Sequence, residues 1–489
     1  MPIRALPWDP NPQHRAGRGP IVAAFSPQDA AEKILDLAAG FAGVGGCVVI
    51  VDEDSSANLR WANNTVTTNG VTRQRRITVV AVVERSGGQA AGVVSRSATA
   101  ATDLAELVDA AVSAGRSSTP AEDAVPLVAP SGPADDAWSA PPQETSGAVF
   151  ADFVAPLGEE LARAQGAGRL LFGYAEHRMR TTYLASSTGV RLRHDQPTGK
   201  VEITGKSPDF LRSAWTAAPT RTFRDVDVAA LHEDLARRLQ WASRQVELPP
   251  GRYETLLPPT AVADLMIYMY WSAGARDAHD GRTVFSRPGG GTRVGERLTS
   301  VPLTLRSDPW APGLECEPFV IAHLSTAETS VFDNGLPLAP TSWIDRGTLN
   351  ALIQTRHSAA LTGLALTPGI DNLILEHADG GPSLEEMIGS SRRSLLVTSL
   401  WYIREVDPQT LLLTGLTRDG LYLIEDGEVV GAVNNFRFNE SPVDLLSRTS
   451  EVGATVRCLP REWSDDFTRT AMPPLRIPDF NMSTVSQAS

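Results

Sequence analysis

Three β-branched runs follow one another with only turn residues between them: CVVIVDE from Cys47, NLRWANNTVTTNG from Asn58 and RRITVVAVVERSG from Arg75. Asn69-Gly70 and Gly87-Gly88 carry the backbone freedom that hairpin turns need, so the spacing predicts antiparallel strands of an open sheet. Ahead of them, Ser26, Pro27 and Asp29 form an N-cap, a first-turn proline and an early acid, predicting a helix through EKILDLAAGFA. A second helix is expected in ATDLAELVDAAVSAG. Strand signals return in RLLFGYAEHRMRTTYLASSTGVRLRH, with SSTG as a turn between Tyr183 and Val190, and continue in VEITGKS. From Asp225 one apolar stripe, Leu231, Leu235, Leu239, Ala242 and Val246, predicts a long amphipathic helix that LPPG at Leu248–Gly251 stops.

A chain of 489 residues exceeds what one hydrophobic core usually organises, and LPPG is its clearest break. The expected division is residues 1–248 and 249–489. Within the first, residues 117–147 are rich in Pro, Ser, Ala and acids without a sustained period, and read as a mobile excursion across the surface rather than a binding segment. Thr260, after two prolines, is placed to cap a helix carrying Val262, Leu265, Met266 and Met269 on one side, a stripe that fits a core better than a cofactor box. Beyond it FVIAHLS, NLILEH, SLLVTSLWYIREV, TLLLTGLT and LYLIEDGEVVGAV read as strands, the last folded back at Asp426-Gly427. The expected class is α+β: an N-terminal α+β domain with an open antiparallel sheet, then a strand-rich, mainly antiparallel domain with one prominent helix around Leu265–Ala273.

The net charge of -13 argues against a nucleic-acid backbone as ligand, since phosphate neutralisation needs a basic face. Cys47, Cys316 and Cys458 lie far apart without CxxC spacing, which indicates neither a disulfide framework nor a cysteine zinc knuckle and fits the cytoplasm. The opening MPIRALPWDPNPQHRAGRGP has proline where a signal peptide needs its apolar run, and no apolar stretch of membrane-spanning length follows. The expectation is a cytoplasmic protein with no membrane and no nucleic-acid partner.

Five segments together resemble a known family. NLRWANNTVTTNGVTRQRRITVVAVV, TVFSRPGGGTRVGERL, SVFDNGLPLAPTSWIDRGTLNALIQTRHSAALTG, DGLYLIEDGEVVGAVNNFRFNESPVDLL and the closing PPLRIPDF are similar, in order along nearly the whole chain, to the TldD/PmbA family, also called modulators of DNA gyrase. The resemblance implies a C-terminal half from a cytosolic metallopeptidase system. Its TldD-type members carry HExxxH on a helix just upstream of the segment matching TVFS, with a cysteine near the C-terminus as a further ligand. Imidazoles and a thiolate hold zinc there, and the glutamate handles the proton of the attacking water. In this chain Leu265, Met266, Ile267, Tyr270 and Trp271 occupy that window and supply neither imidazole nor carboxylate. Cys458 lies near the place of the cysteine ligand but reads as a small buried hydrophobe. The chain thus resembles the E-type (TldE, PmbA) branch, for which the resemblance implies association with a TldD-type chain that supplies the zinc.

Other clusters are candidates for chemistry. Asp277, His279 and Asp280 lie within four residues and offer oxygen and nitrogen donors, but Arg276 adds a positive charge and the spacing converges poorly on a regular helix. Glu315, Cys316, Glu317 and His323 alternate in direction if FVIAH is a strand. Arg356-His357-Ser358 lacks a nucleophile elbow, and Gly289–Gly291 lacks the ending of a phosphate-binding loop and reads as a hairpin or bulge. The expected function is a non-metal-binding subunit of a TldD/TldE metallopeptidase system acting on peptides or unfolded segments, with no cofactor of its own. Two alternatives stay open: a stand-alone metallohydrolase with an atypical site at Asp277, His279 and Asp280, and a non-proteolytic peptide-binding homodimer.

Overall fold

The structure is a computed structural model and describes residues 25–97, 101–130, 132 and 136–486. The segment read for a signal peptide lies outside the described residues. Helix α1 (Pro27–Ala39) starts as its cap signals predict: Ser26 Oγ accepts the N–H of Asp29 at 3.0 Å, and the Asp29 carboxylate accepts the N–H of Ser26 at 3.4 Å.

Strands β1 (Val44–Ala62), β2 (Thr65–Arg85) and β3 (Gly88–Arg96) follow, then helices α2 (Ala101–Ser117) and α3 (Ala151–Gly166) and strands β4 (Leu170–Ser186), β5 (Arg191–Lys206) and β6 (Ser213–Thr220). They form an antiparallel half-barrel in the order β3-β2-β1-β4-β5-β6. The hairpin expected at Asn69-Gly70 forms instead at Asn63-Asn64, both left-handed with φ of 49° and 61°. β1 cannot end sooner, because Ala57, Leu59 and Trp61 continue its apolar alternation into a core with α3. Asn69 and Gly70 therefore lie inside β2, opposite Leu59 and Asn58.

One face of the half-barrel is covered along its length. Val49, Val51, Val79 and Ala81 pack under α1 and α2, and Trp61, Leu171, Val201 and Ile203 under α3 and helix α4 (Val228–Trp241). The other face changes character along β1. Val48 and Ile50 pack with Phe319, Val331 and Phe332, whereas Asp52, Asp54, Ser56, Asn58 and Arg60, at the same alternation, are polar.

Helix α4 is shorter than its stripe suggests. Asp227 caps it through the N–H of Ala230 at 2.9 Å, it ends at Trp241, and Val246 belongs to strand β7 (Gln245–Val246). β7 and β8 (Gly251–Leu257) both enter a ten-stranded sheet, where β8 lies between the antiparallel Leu475–Val485 and the parallel Arg393–Val397. Helix α5 (Pro259–Trp271) begins one residue before Thr260, with Pro258 at its N-cap and no side-chain cap. It is apolar almost all round and buried on every side, at the centre of the C-terminal core. A short helix α6 (Ala275–His279) follows, and a six-stranded mixed sheet around Leu303–Ser307 and Leu373–His377 completes this part. Asp426-Gly427 forms the expected hairpin turn, with φ of 48° and 83°.

FVIAHLS is not a strand. Its backbone pairing is confined to an isolated bridge, Phe319 to Pro337, and beyond it Asn334 takes over, accepting the N–H of Ala322 at 2.7 Å and donating to its carbonyl at 2.9 Å. Residues 117–147 do not lie loose where they are described. Tyr183 donates to the carbonyl of Ala140 at 2.7 Å, the N–H of Thr145 to Ser55 Oγ at 2.8 Å, and Arg356 to the carbonyl of Pro126 at 2.8 Å. No helix among the described residues is long and apolar enough to cross a membrane.

Candidate functional site

The polar end of the half-barrel's open face looks into a cleft of about 650 Å³ whose opposite wall is C-terminal. Asp52 and Thr182 rise from β1 and β4, Tyr270 and Trp271 from the end of α5, and Glu317 and His323 from the irregular loop. The apolar contact of Val48 and Ile50 with Phe319 and Phe332 holds the walls together at one end. Where β1 turns polar at Asp52, the walls separate.

The α5 wall is aromatic. Tyr270 donates to the carbonyl of Ile370 at 3.0 Å and accepts its N–H at 2.7 Å, and burial pushes its phenol pKa up. Trp271 keeps 39% exposure and meets Trp463 edge-on at 5.1 Å. Asp264, fully buried about two turns before, sets the neighbouring loop: its carboxylate accepts the N–H groups of Arg461 at 3.2 Å and Glu462 at 2.8 Å, and its carbonyl accepts Trp463 Nε1 at 2.9 Å. That loop carries Asp466 and Phe467 into the cleft. No composition or motif signal marked Asp264; the clue was one charged residue in an otherwise apolar helix.

Among the charged residues of the remaining lining, carboxylates outnumber Arg180 and His323. Asp52 accepts Thr182 Oγ1 at 2.7 Å, and its other oxygen lies 3.6 Å from His323 Nε2, while His323 Nδ1 is 3.1 Å from Thr78 Oγ1. Burial raises the Asp52 pKa against the pull of His323, and lowers that of His323 against the pull of Asp52. Asp333 is matched by Arg356, at 2.6 Å from Nε. Enclosure by the cleft walls, reinforced by Glu317 and opposed by Arg469, pushes Asp371 up to about 6. Its side chain is still 47% open, so cleft water screens its charge. Glu317 has no ion-pair partner among the described residues.

The other sequence candidates lie apart from the cleft lining just described. Asp277 accepts Arg282 Nε at 3.0 Å, and Asp280 is held by Arg276 at 3.0 Å and Arg282 at 2.9 Å, so arginines occupy both carboxylates beside His279. Glu315 pairs with Arg221, away from Glu317. Ser358 donates to Gln354 at 2.6 Å, while His357 faces Arg276. Gly289–Gly291 turn with positive φ throughout, closed by Arg287 N–H to the Gly291 carbonyl at 2.9 Å.

A metallopeptidase zinc does not fit these residues. Leu265, Met266 and Ile267 are fully buried core side chains, and Tyr270 is committed to Ile370. Burial pushes the Cys458 thiol up to about 12; its Sγ lies 3.5 Å from the carbonyl of Pro259 and 3.4 Å from Thr470 Oγ1. Among the described residues no three of His, Cys, Asp and Glu are grouped to hold a metal ion.

Residues 250–484 match the PmbA/TldA metallopeptidase C-terminal domain. Among solved structures, TldE from Thermococcus kodakarensis superposes with a TM-score of 0.74 at 18% identity, covering 92% of this chain and 99% of that one. A modulator-of-DNA-gyrase protein from Thermotoga maritima gives 0.74 at 16%, covering 93% and 99%, and one from Bacteroides thetaiotaomicron 0.74 at 15%, covering 94% and 99%. No curated protein matches. Residues 250–484 thus belong to the TldD/PmbA family, and the chain shares its fold with TldE and the two modulator-of-DNA-gyrase proteins over more than nine-tenths of its length.

Proposed function

We propose that this chain is the TldE-type, non-metal-binding subunit of a cytoplasmic TldD/TldE metallopeptidase system, acting on peptides or unfolded segments beside a TldD-type chain that carries the zinc. One observation carries the reading: the helix where a TldD-type chain would hold its metal is here a sealed apolar core element, yet the cleft at its end stays open. Such a chain keeps the binding surface and leaves water activation to its partner. Trp271 offers an apolar platform, the carboxylates around it favour basic or amino-terminal groups, and the polar face of β1 and β4 extends the cleft into a trough for an extended backbone.

The test assays this chain, a TldD-type chain and their mixture on an unstructured polypeptide, with a chelator control. Cleavage by the mixture, lost with chelator and absent from this chain alone, is expected. Chelator-sensitive cleavage by this chain alone would defeat the proposal.

A further inference from the structure

Three of the five segments singled out in the sequence take no part in the cleft. Residues 283–298, the stretch ending NESPVDLL and the closing PPLRIPDF meet instead around a second cavity of about 730 Å³, which shares no lining residue with the first. Glu440 ends the strand Phe436–Glu440, and Ser441 and Pro442 turn the chain into the short helix Pro442–Arg448. The register of the strand Leu475–Val485 shifts between Ile477 and Phe480, and the Asp479 carboxylate pairs with Arg448 of that helix. Arg448 also holds Glu440, which is 3% exposed and accepts the N–H of Asn481 at 2.7 Å. These charges satisfy one another.

Other groups on the lining are not used up. Arg252 donates to the carbonyl of Asp479 at 3.1 Å, and Arg293 to Glu296 at 2.9 Å and to the carbonyl of Val284 at 3.0 Å, so each guanidinium keeps N–H groups to spare. The Asp444 carboxylate has no ion-pair partner among the described residues, and Asn439 Oδ1 is buried without a hydrogen-bond partner. Val284, Leu298 and Val443 supply an apolar portion.

We propose that this cavity binds a short peptide with both termini free. Spare guanidiniums suit an α-carboxylate, Asp444 suits an α-ammonium, and the open acceptor on Asn439 suits a peptide N–H. Both signs on one lining favour a zwitterion over a ligand of either net charge. A cube of about 730 Å³ is roughly 9 Å on a side, the length of about three extended residues. Peptides of this size are what the proposed peptidase would release, so the inference rests on that reading for the source of the ligand and gives the chain a product site apart from the cleft.

Calorimetric titration of the full chain, without a TldD-type partner, with Ala-Leu-Ala is the test. A saturable site is expected, and the N-acetylated, C-amidated tripeptide should bind at least about tenfold more weakly. Asp444→Arg should remove the site and Asp444→Asn weaken it about fivefold, both with unchanged thermal melts, while Glu317→Gln in the cleft leaves it as it is. No saturable binding, equal affinity for the blocked peptide, an Asp444→Arg titration that superposes on that of the natural chain, or loss of the site in Glu317→Gln would each overturn the proposal. Because no step involves cleavage, such a failure leaves the assay with a TldD-type chain to be judged separately.

Discussion

The carboxylate of Asp264 and the backbone N–H of Glu462 lie 2.8 Å apart inside a core from which water is excluded, and this contact fixes one wall of the cleft. Asp264→Ala strands two backbone donors, at a cost of about 2–4 kcal/mol in denaturant unfolding. Burial raises the folded-state pKa of Asp264 well above 3.8, so its contribution to stability is full below that pH and declines as pH rises above it. Asp264→Asn should flatten that decline; an unchanged pH profile would count against the assignment.

His177 gives the opposite sign. Its Nδ1 meets Thr145 Oγ1 and its Nε2 the carbonyl of Arg221, both at 2.8 Å, and burial lowers its pKa from 6.5. Stability tied to this histidine is present above pH 6.5 and is lost as pH falls below it. Thermal melts across that range should show a shallower acid slope for His177→Gln than for the natural chain.

Arg461 lies between two indoles, 4.6 Å from the ring of Trp215 on β6 and 4.2 Å from that of Trp401. It also pairs with Glu202 of β5 at 3.2 Å, so one guanidinium ties the half-barrel to the C-terminal sheet. Arg461→Lys retains the charge but not the planar stacking, and should cost about 1–2 kcal/mol of unfolding free energy. Equal stability of the two proteins would remove the stacking argument.

Trp271 is half open to the cleft, so Trp271→Ala should change stability by less than about 1 kcal/mol. In the mixture with a TldD-type chain it should nonetheless weaken peptide handling about tenfold, the effect of losing ~1.4 kcal/mol of contact. Glu317→Gln should weaken basic peptides selectively. Cleavage rates compared on basic and acidic peptides decide it, and indifference to both substitutions would move binding elsewhere.

Elemental analysis of the purified chain after mild dialysis should find no stoichiometric zinc, and Cys458→Ala should leave that result unchanged. One tightly held metal per chain, lost on replacing Asp277 or His279, would revive the cluster at α6.

Local pattern revealed most of the elements because hairpins and apolar stripes are local. Ser26 with Asp29, the SSTG turn and Asp426-Gly427 all state their geometry within a few residues. What stayed hidden depends on distant partners. Asn69-Gly70 has turn chemistry, but Leu59 and Trp61 need β1 to continue, and burial decides the register. FVIAHLS has strand composition, but its backbone pairs only through the isolated Phe319–Pro337 bridge and the Asn334 side chain satisfies Ala322. Of the cleft, the lack of an HExxxH pattern on α5 was readable; its convergence of β1, β4, the 317–333 loop and Asp371 was not, since no spacing links those segments.

The segment between α2 and α3 has a consequence for synthesis. Arg276 holds Glu122 at 2.9 Å, Ser330 holds Asp123 at 2.7 Å, and Arg356 bonds the carbonyl of Pro126, 230 residues earlier in the chain. At a ribosomal rate of about 5–20 residues per second, those anchors arrive ~10–50 s after the segment has emerged. The half-barrel can pair its strands in that interval, with Ser55 and Tyr183 already able to hold Thr145 and Ala140, but the 122–126 end of the stretch completes its bonds only when Arg276, Ser330 and Arg356 arrive.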